Sequence, residues 1–194
     1  DIATKTKENI YRVVIAVEEL AKSKTGALIV IERDIQIKDI ISTGVPMNAD
    51  ISPQLLVNIF VPNTPLHDGA VVISDNKIIA AACMLPLAGD QDIAKELGTR
   101  HRAAIGISKE SDSIAVVVSE ETGKISVAKD GTLIADIRPD VLKKILINNI
   151  VTKRLIQNPE KDKKQKFKNK INTIFKRKLR KIHNNWKAEF KWET

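Results

Sequence analysis

The stretch Leu66-His67-Asp68-Gly69-Ala70 leads directly into the apolar run 71–73, which is typical of a buried strand. Asp68 can bind a metal ion or accept a proton, and His67 adds a nitrogen ligand or a second base. Gly69 lets the backbone approach a ligand closely because it has no Cβ atom. An Asp-Gly pair before a strand is also common in ordinary turns, so this stretch alone leaves both interpretations open.

A second stretch, Gly98-Thr99-Arg100-His101-Arg102, begins a predicted helix over 99–108 that Thr99 is placed to cap. A helix N-terminus has unpaired N–H groups and a positive dipole end, and it therefore attracts phosphate. The two arginines can make bidentate contacts with phosphate oxygens. Because arginines in the first turn oppose the dipole, a bound anion explains them better than a solvated charged turn does.

A third polar stretch, Ser119-Glu120-Glu121, follows the apolar run 114–118. Ligand-binding loops commonly follow buried strands in α/β proteins. Ser119 can donate to a phosphate, and Glu120 or Glu121 can bind a metal ion or hold an arginine; a solvated acidic turn is the alternative. Together the three stretches supply what a nucleoside triphosphate with a divalent ion needs. The sequence has no P-loop and no GxGxxG pattern, which argues against a P-loop NTPase and a Rossmann dehydrogenase.

The spacing of apolar residues predicts an α/β domain with a mixed central β-sheet flanked by helices. We predict a main domain over 1–150 and a basic C-terminal tail over 151–194 that is helical or partly disordered. The predicted helices are 3–23, one that begins at Ser52-Pro53, 99–108 and 136–151, with a short helical turn at 93–97. The predicted strands are 27–31, 70–74, 78–85, 114–118, 124–128 and 132–135, and residues 43–46 are predicted to be a loop.

The charges are distributed unevenly along the chain. Residues 151–194 contain 15 Lys and Arg against 4 Asp and Glu, whereas residues 1–150 contain 17 against 20. The main domain is therefore mildly acidic and is not a general nucleic-acid surface, although a tail that binds nucleic acid is the non-enzymatic alternative. The single cysteine, Cys83, lies in an apolar run and is predicted to be buried, and it excludes an internal disulfide framework and most zinc sites. The sequence shows no signal-peptide pattern and no stretch that is apolar enough to span a bilayer.

The stretches 66–70 and 98–102 resemble the paired DGA and RHR motifs of the diadenylate cyclase domain family, in the family's order. The similarity covers roughly residues 3–150 and includes 28–33 and 119–123. It implies that residues 1–150 form a diadenylate cyclase catalytic domain, which condenses two ATP into cyclic di-AMP and releases two pyrophosphates. It also implies a divalent metal cofactor, Mn²⁺, Mg²⁺ or Co²⁺. Another metal-dependent nucleotidyl transferase, or a nucleotide hydrolase, is the alternative among enzymes.

Carried over by position, the resemblance implies a role for each motif residue. Asp68 would assist the attacking 3′-hydroxyl, directly or through the metal ion, and Arg100 and Arg102 would be the other catalytic residues. His101 would be structural or would support the residues that contact the nucleotide, and Met84 and Leu85 would border the adenine. The implied nucleotide-binding residues are Asp68, Gly69, Ala70, Met84, Leu85, Gly98, Thr99, Arg100, His101, Arg102, Ser119 and Glu120, and the implied metal ligands are His67, Asp68 and Glu121.

The reaction itself implies a homodimer. Each ATP must attack the α-phosphate of the other, so one subunit with one ATP makes half a site and two subunits must meet face to face. The resemblance favours the branch of the family that preceding transmembrane helices anchor, so we expect a soluble part at the cytoplasmic face of the bacterial cell membrane. The 44 residues after 150 are too few for the helical spine and DNA-binding domain of the DNA-scanning branch. The resemblance also suggests phosphoglucosamine mutase as a regulatory partner, and no binding of nucleic acid is expected.

Overall fold

The computed structural model describes residues 2–86 and 97–152, which form an α/β fold around a mixed sheet. The strands are β1 (Ala27–Ile31), β2 (Val45–Asp50), β3 (Ala70–Ser74), β4 (Lys77–Cys83), β5 (Ile114–Val118), β6 (Ile125–Lys129) and β7 (Thr132–Ile137). The helices are α1 (Ile2–Lys22), α2 (Lys38–Ile41), α3 (Pro53–Ile59), α4 (Thr99–Glu110) and α5 (Pro139–Leu146), and α5 continues into a π-helical segment, Ile147–Thr152. The seven strands lie in the order β2-β4-β3-β1-β5-β6-β7.

Strand β1 is the centre of the sheet, and all five of its apolar side chains are buried. It pairs in parallel with β3 and antiparallel with β5, and the remaining neighbouring pairs of this sheet are antiparallel. A strand that is covered on both faces needs a continuous apolar run rather than an alternating one, and residues 27–31 provide it. The prediction of this strand and of a mixed sheet is confirmed.

Helices cover both faces of the sheet. On one face, α1, α3 and α5 pack on the strands through a core that includes Val17, Leu56 and Leu142. On the other face, α4 packs over β1, β5, β6 and β7, and Ala104 and Ile107 belong to the core on that side. Its first turn lies near the start of β1, because Arg100 contacts Gly26 there.

Helix α4 ends at Glu110, two residues after its predicted end, and three further segments differ from the predictions. Residues 45–50 form edge strand β2, although the sequence predicts a loop over 43–46; Pro46 is compatible with an edge strand because a proline there removes no central hydrogen bond. Asp136 continues β7, and α5 begins only at Pro139, the first helical position. Strand β4 ends at Cys83, two residues before the predicted end.

Of the remaining predictions, the burial of Cys83 is confirmed, and others concern segments that lie outside the described residues. Cys83 is buried, as predicted, and burial raises the pKa of its thiol to about 11, which keeps the thiol protonated. The predicted turn at 93–97 and the predicted tail lie outside the described residues, apart from Leu97, Val151 and Thr152. Within the two described ranges, no helix has both the length and the apolar character that crossing a bilayer requires.

Candidate active site

The acidic loop begins next to the residue that precedes β1. Strands β1 and β5 are antiparallel and Ala27 pairs with Val118, so the next position on each side is Gly26 and Ser119. Arg100, in the first turn of α4, lies against Gly26 from above the sheet. Two of the three polar stretches that the sequence singled out therefore meet at the start of β1.

The third stretch, 66–70, lies at the same end of the sheet, where β1 begins, but on the other side of β1. Strand β3 runs parallel to β1 with Val71 beside Ile29, so both strands begin at this edge. Neighbouring strands lie about 4.8 Å apart, which puts the start of β3 within one strand spacing of the start of β1. Asp68 is exposed at this position. The DGA and RHR stretches thus lie at one end of the sheet and not on opposite sides of the domain.

A cavity of about 410 Å³ opens between the first turn of α4 and the loop that follows β5. The predicted site residues that line it are Gly98, Thr99, Arg100, His101, Ser119, Glu120 and Glu121. The predicted site residues that do not line it are His67, Asp68, Gly69, Ala70, Met84, Leu85 and Arg102. The structure therefore brings the predicted phosphate-binding residues Thr99, Arg100 and Ser119 into one cavity, but not Arg102, while the 66–70 stretch flanks the same end of the sheet.

Arg100 is held from two sides at this cavity. Its Nη1 atom lies 3.3 Å from Oε2 of Glu120, and its guanidinium lies against Gly26. The Arg100 side chain is 23% exposed, compared with 68% for Glu120. An ion pair with so exposed a partner contributes only about 0–1 kcal/mol, so a phosphate can replace the carboxylate. Of the two roles that the sequence left open for the acidic loop, Glu120 takes that of holding an arginine.

His101 also lines the cavity, but as a neutral ring. Burial lowers the pKa of its imidazole from the usual 6.5, and the positive charge of Arg100 lowers this pKa further. The imidazole is therefore uncharged at pH 7 and adds no positive charge next to a phosphate. This state agrees with a structural role for His101 rather than with charge neutralisation.

The hydroxyl of Ser119 is oriented by its own loop. Its oxygen accepts hydrogen bonds from the backbone N–H of Glu121 at 3.3 Å and of Thr122 at 3.2 Å. A hydroxyl has two acceptor lone pairs and one donor hydrogen, so these contacts leave the hydrogen for an outside acceptor. Phosphate oxygens are such acceptors, and the geometry therefore suits the predicted donation from Ser119 to a phosphate.

The start of α4 differs in one respect from the prediction. Gly98 is the N-cap residue and Thr99 is the first helical residue, so Thr99 does not cap the helix. A glycine cap has no side chain to accept hydrogen bonds from the first turn, and these N–H groups stay available to an anion. The hydroxyl of Thr99, which is not used as a cap, is exposed at the cavity.

Gly69 is required by the way β4 passes the DGA stretch. Its φ is +96°, and a Cβ atom there would lie 2.7 Å from the carbonyl oxygen of Cys83. Ala70 pairs with Cys83 whereas Val72 pairs with Ala80, so β4 contains a bulge at this point. Bulges are frequent beside functional sites because they redirect the chain that follows them.

Met84 and Leu85 follow this bulge and therefore lie beside the DGA stretch. Met84 is 60% exposed, and its N–H donates to Oγ1 of Thr43 at 2.9 Å. Leu85 packs on the core that α4 covers. The two aromatic residues of the described ranges are exposed Tyr11, on α1, and buried Phe60. Among the described residues, Met84 and Leu85 are therefore aliphatic candidates for packing on an adenine, and their predicted role stays a prediction.

His67 has one ring nitrogen that suits a metal ion. Its Nδ1 lies 2.6 Å from the carbonyl oxygen of Thr64. A carbonyl oxygen only accepts, so Nδ1 carries the hydrogen and the lone pair of the neutral ring is on Nε2. Among residues 2–86 and 97–152, however, no three His, Cys, Asp or Glu side chains converge as a metal site, so His67, Asp68 and Glu121 do not form one such group. Adjacent His67 and Asp68 suit a cation that also takes phosphate oxygens as ligands, which is the usual arrangement for Mg²⁺.

Sequence reasoning missed two features of this edge. Lys124 and Asp136 line the cavity and form an ion pair at 3.5 Å; neither stands in a recognisable motif. Gly26 lies against Arg100, and its only signal in the sequence is that a glycine directly precedes a buried strand. A glycine in that place is a sign of close approach by another group.

The fold and the site define an α/β domain with a cavity at the start of a helix, lined by groups that can accept an anion. Residues 14–133 match the sequence profile described as DisA bacterial checkpoint controller nucleotide-binding. The chain belongs to this family, the DisA-type diadenylate cyclase domains.

Relatives and a solved structure agree with this assignment. Cyclic di-AMP synthase CdaA of Bacillus subtilis (strain 168) is 53% identical over 140 residues, which cover 72% of this chain and 51% of that protein. A diadenylate cyclase of Listeria monocytogenes (serotype 1/2a) is 57% identical over 133 residues, which cover 69% of this chain and 49% of that protein. The crystal structure of a DacA double mutant from Staphylococcus aureus matches with a TM-score of 0.71 and 49% identity, over 73% of this chain and 95% of that one. The predicted fold is confirmed, and the chain spans about half the length of the two curated relatives.

Proposed function

We propose that this chain is the catalytic part of a diadenylate cyclase, which condenses two ATP into cyclic di-AMP and releases two pyrophosphates, with residues 1–150 as its catalytic domain. One observation carries the proposal: Thr99, Arg100 and Ser119 line one cavity at the edge where β1 and β3 begin. The carboxylate of Asp68 is exposed directly before β3 at the same edge. A triphosphate site next to a carboxylate is what the reaction needs. The names of the two curated relatives support the same activity.

The cavity residues bind the triphosphate. Arg100 exchanges the exposed carboxylate of Glu120 for phosphate oxygens, and Ser119 donates its remaining hydrogen. The first-turn N–H groups of α4 add further donors. The leaving pyrophosphate gains negative charge in the transition state, so donors fixed at this place stabilise that state more than the bound substrate. Arg102, which does not line this cavity, is proposed to complete the binding of the phosphates.

Asp68 acts on the attacking 3′-hydroxyl, whereas the cavity residues act on the triphosphate. The 3′-oxygen of one ATP forms a bond to the α-phosphorus of the other, and the bond from that phosphorus to the β-phosphate oxygen breaks. The proton of the 3′-hydroxyl leaves to the carboxylate of Asp68 or to a base that Asp68 orients. The same step with the two nucleotides exchanged closes the ring. An exposed position suits Asp68, because it must meet a nucleotide that another subunit holds.

A divalent cation, Mn²⁺, Mg²⁺ or Co²⁺, would supply partial neutralisation of the phosphates and would lower the pKa of the attacking hydroxyl. Nε2 of His67 and the carboxylate of Asp68 are the residues proposed to hold it. Glu121, on the loop after β5, does not converge with His67 and Asp68 in one group among the described residues, so it is not assigned as a ligand. These assignments rest on the tautomer of His67 and on the family resemblance.

Two subunits are proposed to form the complete site. Each holds one ATP against its own α4, and the two exposed edges face each other so that each 3′-hydroxyl reaches the other α-phosphate in line. Specific activity at saturating ATP should therefore rise with protein concentration, in a dilution series assayed together with light scattering. Constant specific activity across a range in which light scattering shows monomers would contradict the dimer requirement.

The cellular setting is proposed from the family resemblance alone. We place the domain at the cytoplasmic face of the bacterial membrane, held there by an N-terminal anchor, with phosphoglucosamine mutase as a regulatory partner. Fractionation of cells that express the full-length protein would locate it. Assay of the purified domain with and without that enzyme would test the partner.

The deciding experiment is a product assay with ATP and Mn²⁺, followed by mass analysis. The proposal expects cyclic di-AMP, with one pyrophosphate released for each ATP consumed. ADP or AMP as the main product would indicate a nucleotide hydrolase, and an adenylylated acceptor would indicate a different nucleotidyl transferase. Asp68→Asn, which keeps the size of the side chain, serves as the matched control for contaminating activities.

A further inference from the structure

Gly26 lies where the guanidinium of Arg100 meets the start of β1. A Cβ atom built on Gly26 would lie 2.5 Å from Nη1, 2.6 Å from Cζ and 3.0 Å from Nη2 of Arg100. These are the three atoms nearest to that Cβ position, so the head of Arg100 fills the space that a side chain at residue 26 would need. Gly26 itself is buried.

We propose that Gly26 is a positioning residue: its missing side chain forms the recess that holds the guanidinium of Arg100 at the phosphate end of the cavity. The inference rests on the proposed function, because it concerns how Arg100 binds the phosphates of ATP. It assigns a role to a residue outside both motifs. Gly26 contacts no substrate in this scheme and acts only through Arg100.

The backbone at residue 26 does not itself require glycine. Gly69 and Gly123 have φ values of +96° and +73°, which side chains rarely adopt, whereas Gly26 is not among the glycines with positive φ. Alanine is therefore compatible with the backbone of residue 26. The requirement for glycine comes from the neighbouring guanidinium alone.

The recess reduces the conformational entropy that the Arg100 side chain loses when ATP binds. A free arginine side chain occupies many rotamers, and holding it in place beforehand leaves less conformational freedom to lose on binding. Arg100 is 23% exposed, and one of the two groups that hold it, the carboxylate of Glu120, is 68% exposed and replaceable. Gly26, which is part of the backbone of the central strand region, is the contact that stays when phosphate replaces Glu120.

The variant Gly26→Ala tests the inference with little risk to the fold. The atoms that clash with the new Cβ belong to the far end of a flexible side chain, so Arg100 can move aside while the strands remain. We expect at least about a tenfold weaker binding of ATP and a similar rise in KM, since a misplaced charge-assisted hydrogen bond loses most of its contribution to binding. We expect a smaller change in kcat. Calorimetry with ATP and Mg²⁺ measures the binding, and the cyclic di-AMP assay gives KM and kcat.

The double variant Gly26→Ala with Arg100→Ala is the matched control. When the guanidinium is absent, the new methyl group has space, so the double variant should bind ATP as weakly as Arg100→Ala alone, within about twofold. In an Arg100→Lys background, Gly26→Ala should reduce the affinity for ATP less than it does in the parent, because the narrower lysine head leaves room for a Cβ atom. Equal losses from Gly26→Ala with and without the Arg100 side chain would overturn the inference.

Thermal unfolding separates the remaining outcomes. If Gly26→Ala lowers the melting temperature, Arg100→Ala should restore it, which supports the steric cause; a loss that persists in the double variant refutes it. Failure of the proposed function is a different result: the unchanged chain would then make no cyclic di-AMP. The comparison of ATP affinities among the four chains would still decide the role of Gly26.

Discussion

The two ends of β1 hold charged side chains in opposite ways. Directly after β1, the buried carboxylate of Glu32 accepts hydrogen bonds from the N–H of Ile37 at 2.8 Å and from the hydroxyl of Ser74 at 2.7 Å. Directly before β1, Arg100 lies over Gly26 and forms an ion pair at 3.3 Å with the exposed carboxylate of Glu120. A buried charge must be fully hydrogen-bonded, whereas a loosely paired one at a cavity can exchange partners. The end at Glu32, the closed end, is held by buried hydrogen bonds, whereas the end at Arg100, the open end, has an exposed ion pair that can exchange partners.

The largest effect is expected at the open end, for Asp68→Asn. The amide cannot accept a proton, and it binds metal less well than a carboxylate, so turnover should fall by about 10²- to 10⁴-fold. The melting temperature should change little because Asp68 is exposed. Rates of cyclic di-AMP formation and thermal unfolding measure the two quantities. Substantial product from this variant would remove Asp68 from the chemistry and would weaken the contrast between the two ends.

At the closed end, Glu32→Ala should mainly reduce stability. It leaves the N–H of Ile37 and the hydroxyl of Ser74 without their acceptor, at a cost of about 2–4 kcal/mol in the free energy of unfolding. Glu120→Ala, which removes an exposed carboxylate at the open end, should change stability by less than about 1 kcal/mol. Urea denaturation of both variants sharpens the comparison. Equal losses of unfolding free energy in the two variants would mean that burial does not distinguish the two ends of β1.

A smaller gain in stability is expected for Ser113→Ala, just before β5 at the closed end. Among the described residues, the buried hydroxyl of Ser113 has no hydrogen-bond partner. Removing an unsatisfied buried hydroxyl should raise the free energy of unfolding by about 1 kcal/mol. The neighbouring Ser111→Ala is the control, because that hydroxyl donates to the carbonyl of Ile107 at 2.8 Å and its loss should destabilise. A loss of stability in both variants would show that Ser113 is satisfied after all.

The smallest effect concerns pH at the open end. The pKa of His101 is lowered in the folded chain, mainly by burial, so below pH 6.5 the unfolded chain binds a proton that the folded chain resists. This contribution to stability is present above the unfolded pKa and is lost as the pH falls. His101→Gln should therefore show a shallower fall in melting temperature between pH 7.5 and pH 5.5. Identical slopes in the two proteins would contradict the role of His101 burial.

The sequence predicts the interior of the sheet better than its edges. Residues 27–31 are apolar throughout, and a run of that kind fits a central strand in any α/β arrangement, so β1 is predicted with its bounds. Strand β2 is missed because Pro46 and a weak pattern are typical of loops, and only pairing with β4 makes the segment a strand. The start of α5 is misplaced because the turn signal of Pro139 is weaker than the apolar periodicity around it.

Within the site, the motif residues can be predicted from the sequence, but the residues that hold them in position cannot. Arg100 and Ser119 stand in polar stretches whose chemistry is visible in the residue types. Gly26 has no chemistry of its own, and its role depends on a contact between residues that are far apart in the sequence. The partner of Arg100 is likewise a choice between Glu120 and Glu121 that only the three-dimensional course of the loop decides.

The direction of the parallel pair β1 and β3 has a consequence for finding sites in other proteins. Open α/β sheets usually bind ligands beyond the carboxyl ends of their parallel strands. In this sheet, the carboxyl end of β1 leads to Glu32, and the cavity lies where β1 begins. A search guided by the polarity of the parallel strands would therefore inspect the end of the sheet opposite this cavity, whereas a search for a helix N-terminus beside a glycine would reach the cavity.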